Sequence, residues 1–300
     1  MGQPNNSYMH PLSDFSNILL HKGEYSSKNG TTEVTFSIEN YYLDVMLLLT
    51  KIRWKWTGWA VMCEILRQSN RTMKIQPYLR GMESLSPTDT RQQAIDKLKK
   101  NFNATAGPTD WNKSAPKGQT VLSCGGPTQN QALKESFLFF FQRDMKSDGT
   151  GSDTIVNFTP EMWVSADVSA AFGAANAAGP GVKKDEILLH EMVHGMRQMH
   201  GTSRCSATPD NPGLDTVEEF MAIVISNVYR SELNLPGLRA DHWGFLPLAG
   251  DASSSQAFID KDKDKPTSNY KRLMQLKMEH PELCNNLKKV SATFNPFQLI

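Results

Sequence analysis

Alternation of apolar and polar positions predicts strands at three places in the chain. The segment TTEVTFSI places Val34, Phe36 and Ile38 on one face, as a half-buried strand does. TMKIQPYL at 72–79 and DTIVNFTP at 153–160 are short apolar runs that proline limits. Together these segments predict a small β-sheet.

Helical periodicity and capping residues mark the remaining elements. Apolar positions favour one or two core helices in 40–68, an amphipathic helix at 88–102, and further helices near 184–200, 216–233 and 270–280. The apolar run at 133–145 is compatible with either strand or helix. Strands and helices mixed in this order predict an α+β fold.

Composition divides the chain into a leader and one domain. Residues 1–30 are polar and read as a loose leader, so we place the domain at 31–300. Gly, Pro, Thr, Asn and Ser dominate 103–130, which predicts a long loop. Small residues at 165–181 predict another loop, and the residues after 280 read as a tail.

Charge and hydropathy exclude two classes of partner. The formal net charge is +1, which gives no reason to expect a nucleic-acid partner. The most apolar span, within 43–66, is interrupted by charged residues and does not predict a membrane helix. The amino terminus lacks a Sec-type pattern, so we expect a soluble protein that is secreted by a signal-peptide-independent route, if at all.

The four cysteines stand far apart, at positions 63, 124, 205 and 284. None forms a C-x-x-C pair, so isolated thiols are the simpler interpretation. Disulfides remain open, because their pairing cannot be derived from one sequence.

The segment DEILLHEMVHGMRQMHG carries the candidate chemistry. Its apolar positions predict a helix that Gly201 ends. His190 and His194 are one turn apart and therefore share a face on which they can bind one ion. Glu191 projects beside that ion, where it can take a proton from a bound water. This is the H-E-x-x-H arrangement of zinc peptidases, although an ordinary helix can contain the same letters.

A catalytic zinc site needs a third protein ligand and an open fourth position. The helix DTVEEFMAIVISNVYRSEL has Thr216 as its N-cap and two glutamates in its first turn. We favour Glu219, because Ala222 and Ser226 continue its face as small residues that allow close packing. Glu218 is the alternative, and either glutamate can instead be a surface acid at a helix start.

Three residues that follow Glu219 in the sequence are candidates to stabilise the oxyanion. His242 in RADHWGF is the first choice, and Tyr229 and Arg230 follow. Arg197 lies on the histidine face and is expected to brace the site by pairing with an acid.

The other interpretation of the motif is a binding module with a structural metal or none. Cys205 is the residue that makes a closed four-ligand site conceivable.

The three segments around these residues resemble one family. DEILLHEMVHGMRQMHG, TVEEFMAIVISNVYRSEL and LRADHWGF are similar to zinc metallopeptidase effectors of bacterial type VI and type III secretion, over a core of about 150–250. The resemblance implies a zincin-like domain with His190, His194 and Glu219 on zinc and Glu191 as the catalytic acid/base. The histidine of the last segment corresponds to His242.

The sequence thus predicts a zinc metalloendopeptidase that acts as a secreted effector or toxin. The implied partners are a polypeptide substrate, secretion-apparatus components and a cognate immunity protein. The implied place of action is a target cell, in its periplasm or cytosol. The identity of the substrate is not encoded in any of these motifs.

Overall fold

A computed structural model of the chain describes residues 9–12, 14–29, 32–37, 40–78, 93, 104–119, 146–160, 183–204, 206, 208, 214, 216–242, 248 and 254–300. The fold is α+β, as predicted. The strands are β1 (Met9–Leu12), β2 (Phe15–His21), β3 (Glu24–Asn29), β4 (Thr32–Ser37), β5 (Met73–Gln76), β6 (Thr105–Pro108) and β7 (Thr154–Asn157). The helices are α1 (Tyr41–Arg53), α2 (Trp56–Arg67), α3 (Trp111–Ser114), α4 (Lys184–Met199), α5 (Val217–Glu232), α6 (Ser255–Asp260), α7 (Asn269–Glu279) and α8 (Pro281–Leu287).

Five of the strands form one mixed sheet in the order β1-β2-β5-β7-β6. β2, β5 and β7 run parallel, and β1 and β6 are antiparallel at the two ends. β3 and β4 form a separate hairpin. The strands predicted near 34, 73 and 155 are therefore confirmed as β4, β5 and β7.

Several predicted loops and termini contain regular structure instead. β1, β2 and β3 lie within the first thirty residues, and Ile18 and Leu20 of β2 are fully buried. The predicted loop at 103–130 begins with β6 and α3. The predicted tail after 280 holds α8 and a 3₁₀ turn at Pro296–Leu299. The elements predicted at 133–145 and 165–181, and nearly all of 88–102, lie outside the described residues.

Helix α4 lies at the centre of the molecule. Every residue from Asp185 to Met199 is buried, since α4 contacts β6 and β7 on one side and α1, α2 and α5 on others. A helix buried on all sides must find a partner for each of its polar side chains. None of the described helices combines the length and apolar character that crossing a bilayer requires.

Two glycines let α4 fit between its neighbours. A Cβ on Gly195 would lie 2.8 Å from Met73 Cε and 3.0 Å from Thr154 Cγ2, so a larger residue would require these side chains of the sheet to shift. Gly201 has a φ of +67° just after the helix, which is the left-handed conformation that ends helices at glycine. The stop that the sequence predicts there is confirmed.

Candidate metal centre

Three side chains converge on one point beside α4. His190 Nε2 lies 3.1 Å from His194 Nε2 and 3.2 Å from Glu219 Oε2. His194 Nε2 lies 3.4 Å from the same Glu219 oxygen. The histidines come from adjacent turns of α4, and Glu219 comes from the first turn of α5, whose N-cap is Thr216. The structure therefore brings together the three ligands that the sequence selects.

The size of this triangle fits a zinc ion. Zinc bonds to imidazole nitrogen and carboxylate oxygen are about 2.0–2.1 Å long, so two ligand atoms of a tetrahedral site are roughly 3.3–3.4 Å apart. The three observed edges, 3.1, 3.2 and 3.4 Å, are close to that distance. Two imidazoles and one carboxylate are also a donor set that zinc prefers in open catalytic sites. The residues present fit the ion that the motif implies.

Burial and neighbouring charges shift the pKa values of the three candidate ligands in different directions. Burial lowers the pKa of His190 to about 3, so its ring is neutral. Burial also opposes a charge on His194, but the carboxylates of Glu219 and Glu218 outweigh it and raise its pKa well above the usual value. His194 and His242 hold the pKa of Glu219 well below its usual range despite its burial. A divalent cation would take the place of the His194 proton.

Glu218, the alternative ligand, is used differently. Arg197 Nε–H donates a bifurcated hydrogen bond to both carboxylate oxygens of Glu218, at 2.9 and 3.0 Å, and the backbone N–H of Arg204 donates to the same carboxylate at 2.8 Å. Its Oε1 lies 3.6 Å from His194 Nδ1, on the side of the ring away from Glu219. A carboxylate at this position orients a metal-binding histidine. The predicted ion pair between Arg197 and an acidic residue is therefore present, and the acid is Glu218.

Glu191 is buried beside the triangle and faces the sheet edge. Its exposed fraction is 4%, and the backbone N–H of Ala106 in β6 hydrogen-bonds to its carboxylate. Burial raises the pKa of Glu191 to about 7 in the metal-free protein. A carboxyl whose pKa is near neutrality can both accept and return a proton. The strand beside Glu191 is β6, which lies at one end of the sheet.

His242 approaches the triangle from the loop after α5. Its Nε2 lies 3.4 Å from Glu219 Oε2, and its ring stacks on His190 with centroids 5.8 Å apart. Asn227 in α5 fixes this loop, because its amide donates to Arg239 O and accepts from Arg239 N, both at 2.8 Å. Arg239 in turn donates to the His242 carbonyl at 3.0 Å.

The two other candidates for oxyanion stabilisation lie elsewhere. Tyr229 is fully buried and donates to Asp185 Oδ2 at 2.8 Å, while Arg230 binds Glu186 and two backbone carbonyls. Both residues are therefore engaged at the first turn of α4 rather than at the triangle.

Cys63 and Cys284 are free thiols. Cys205, on which a closed four-ligand site depends, lies outside the described residues.

Sequence reasoning missed Asn227 and the positioning role of Glu218. A polar amide in the apolar run AIVISNVY was a signal, since such a buried group must have a hydrogen-bond partner. Glu218 gave no such signal, because adjacent glutamates in a first helical turn look alike until a partner helix is in place.

Comparison with known proteins gives one match. The family model peptidase M91, described as an effector protein, matches residues 76–270, which is more than half of the chain. The matched range contains α4, α5 and the His242 loop. Neither the search of curated proteins nor that of solved structures found a match.

Proposed function

The chain belongs to the M91 peptidase family of effector proteins, and we propose from this premise that it is a zinc-dependent endopeptidase with a zincin-like active site. The observation that carries the proposal is the triangle of His190, His194 and Glu219 with edges of 3.1–3.4 Å. Glu191 lies next to it, buried and with a raised pKa.

His190, His194 and Glu219 would hold the zinc ion and leave its fourth position open. When bound, zinc supplies Lewis-acid chemistry that polarises the scissile carbonyl and makes water a better nucleophile. Glu191 accepts the proton of the attacking water and later returns it to the leaving amine. Glu218 and Arg197 keep the His194 ring in its binding orientation.

We place the polypeptide substrate in extended form along β6. This strand lies at one end of the sheet, and its Ala106 contacts both Glu191 and Gln198 of α4. Delivery into a target cell by a signal-peptide-independent machine, with an immunity protein in the producer, accords with the effector family and belongs to the same proposal.

Metal content distinguishes the two adjacent glutamates. Glu219→Ala is expected to lower the zinc content by about one ion per chain, because it removes one of three ligands. Glu218→Gln should keep that ion, since its amide occupies the same space beside His194. Both variants are compared with wild type by elemental analysis after removal of free metal. Equal zinc in Glu219→Ala and wild type would contradict the proposed ligand set.

Replacement of His242 by alanine is expected to lower kcat by about 10²–10³-fold with little change in zinc content. The reason is that His242 donates to the oxyanion and does not hold the metal. Turnover is measured by mass spectrometry on a complex mixture of peptides, so the substrate need not be known. Loss of zinc in His242→Ala would instead make this residue a fourth ligand.

A further inference from the structure

A second cluster of metal-ligand residues lies at the far end of α4. Glu64 in α2, His200 directly after α4, and His280 between α7 and α8 place one ligand atom each within 4.8 Å of one another. Glu64 and His280 are buried and His200 is nearly so. Six residues of helix, roughly 9 Å of rise, separate His194 from His200, so this cluster is distinct from the first.

The contacts among the three residues are close. His280 Nδ1 lies 3.0 Å from Glu64 Oε1, and His200 Nε2 lies 3.6 Å from the same oxygen. The two imidazole rings meet edge to face with centroids 4.7 Å apart. Three separate parts of the chain thus direct two ring nitrogens and one carboxylate oxygen at a common point.

The pairing of His280 indicates that a cation belongs at this point. Thr202 Oγ1 lies 3.1 Å from Arg197 O and 2.8 Å from His280 Nε2. When its single proton is donated to the carbonyl, its oxygen accepts from His280 Nε2. The proton of His280 is then on Nε2, and Nδ1 presents a lone pair to Glu64 Oε1. Two acceptor atoms 3.0 Å apart require a proton or a metal ion between them.

His200 has a matching outer partner. Its Nδ1 lies 3.1 Å from the side-chain amide of Gln68. With the amide oxygen turned to the ring, Gln68 accepts from Nδ1–H and frees Nε2 for a metal. Metal-binding histidines regularly donate from their second ring nitrogen in this way. Thr202 is the acceptor for His280, and Gln68, whose amide nitrogen faces His200 Nδ1, becomes the acceptor for His200 when its amide is turned.

We propose that Glu64, His200 and His280 bind a second divalent ion of the zinc class, which fixes the carboxyl end of α4 against α2 and α8. Three protein ligands leave its remaining coordination to water. The ion would join α2, the end of α4 and the junction of α7 with α8, at a place where α2 already packs on both α4 and α8. The proposal does not depend on the peptidase assignment of the first site.

The competing state is one without metal. In it, His200 Nε2 donates to the backbone carbonyl of Glu64 at 3.1 Å, and a single proton joins Glu64 to His280. Burial raises the pKa of Glu64 and lowers that of His280 to about 3, so that proton would be on Glu64. The two states differ in the number of zinc ions that the protein holds.

The test is the zinc stoichiometry of the full chain. The protein is stripped with a chelator, reloaded with excess Zn²⁺, desalted and analysed for metal. We expect about two ions in wild type, about one in His200→Gln and in Glu219→Ala, and none in the double variant. His21→Gln, a buried histidine outside both clusters, is the control and should keep both ions.

This experiment distinguishes an error in the proposed second site from an error in the proposed first site. One ion in wild type and none in Glu219→Ala would overturn the second site and leave the first intact. Two ions in His200→Gln would also overturn it. Titration of stripped wild-type protein with Co²⁺ gives a readout that needs no variant, since visible absorption should saturate at about two equivalents. Saturation at one equivalent would count against the proposal.

Discussion

Glu191→Gln is expected to lower peptidase turnover by about 10²–10⁴-fold while the protein keeps its zinc. Glutamine has nearly the same size and still accepts from the Ala106 N–H, so the fold and the metal ligands are unchanged. What it loses is the ability to take a proton from water and return it to the leaving amine. Turnover is measured on a peptide mixture, and zinc content and thermal midpoint are measured on the same sample.

Glu282→Gln is the matched control for this prediction, because it makes the same chemical change at an exposed glutamate. It should leave turnover at the wild-type level. A Glu191→Gln protein that retains both zinc and full activity would refute the proposed proton transfer. A protein that loses zinc would show that Glu191 also supports the ligand set.

Arg197→Ala is expected to lower the free energy of unfolding by about 3–5 kcal/mol, the cost of breaking a buried ion pair. The Arg197 side chain is 0% exposed and binds Glu218, Glu279 and the Thr202 carbonyl. Its removal leaves Glu218 without its guanidinium partner and Glu279 with Arg204 alone. Urea denaturation of the metal-free protein measures the loss without a contribution from zinc binding.

Arg204→Ala provides the comparison, since Arg204 binds Glu279 at 2.7 Å but is 23% exposed. Solvent screens such a pair, and a loss nearer 1 kcal/mol is expected. Similar losses of unfolding free energy in Arg197→Ala and Arg204→Ala would contradict the larger contribution to stability expected from Arg197. Arg197→Ala should also weaken zinc binding, because Glu218 then no longer has a fixed position beside His194.

Sequence alone located the helix that carries His190 and His194, because its signal is local. The spacing of His190 and His194 and the stop at Gly201 depend only on helix geometry. The choice between Glu218 and Glu219 was different, since the two side chains point about 100° apart and only the packing of α5 on α4 decides which one faces the histidines. Arg197 pairs with Glu218, and Glu219 is the glutamate that faces the Nε2 atoms of both histidines.

The strands that the sequence did not predict are those stabilised mainly by pairing with neighbouring strands. β6 has the sequence TAGP, which has little strand propensity, and it is held by β7, Gln198 and Thr154. β2 is a short apolar run within a polar region and becomes an interior strand only because β5 lies parallel to it. The cluster of Glu64, His200 and His280 could not be predicted, because the three residues are far apart in the sequence.

The contacts of α4 with the last helices have a consequence for synthesis. Arg197 binds Glu279, and Thr202 binds His280, across about eighty residues of sequence. A nascent chain in which His190 and His194 have already been made still lacks these partners until α7 and α8 leave the ribosome. Since domains fold as units during synthesis, α4 would reach its native packing only after α7 and α8 have been made.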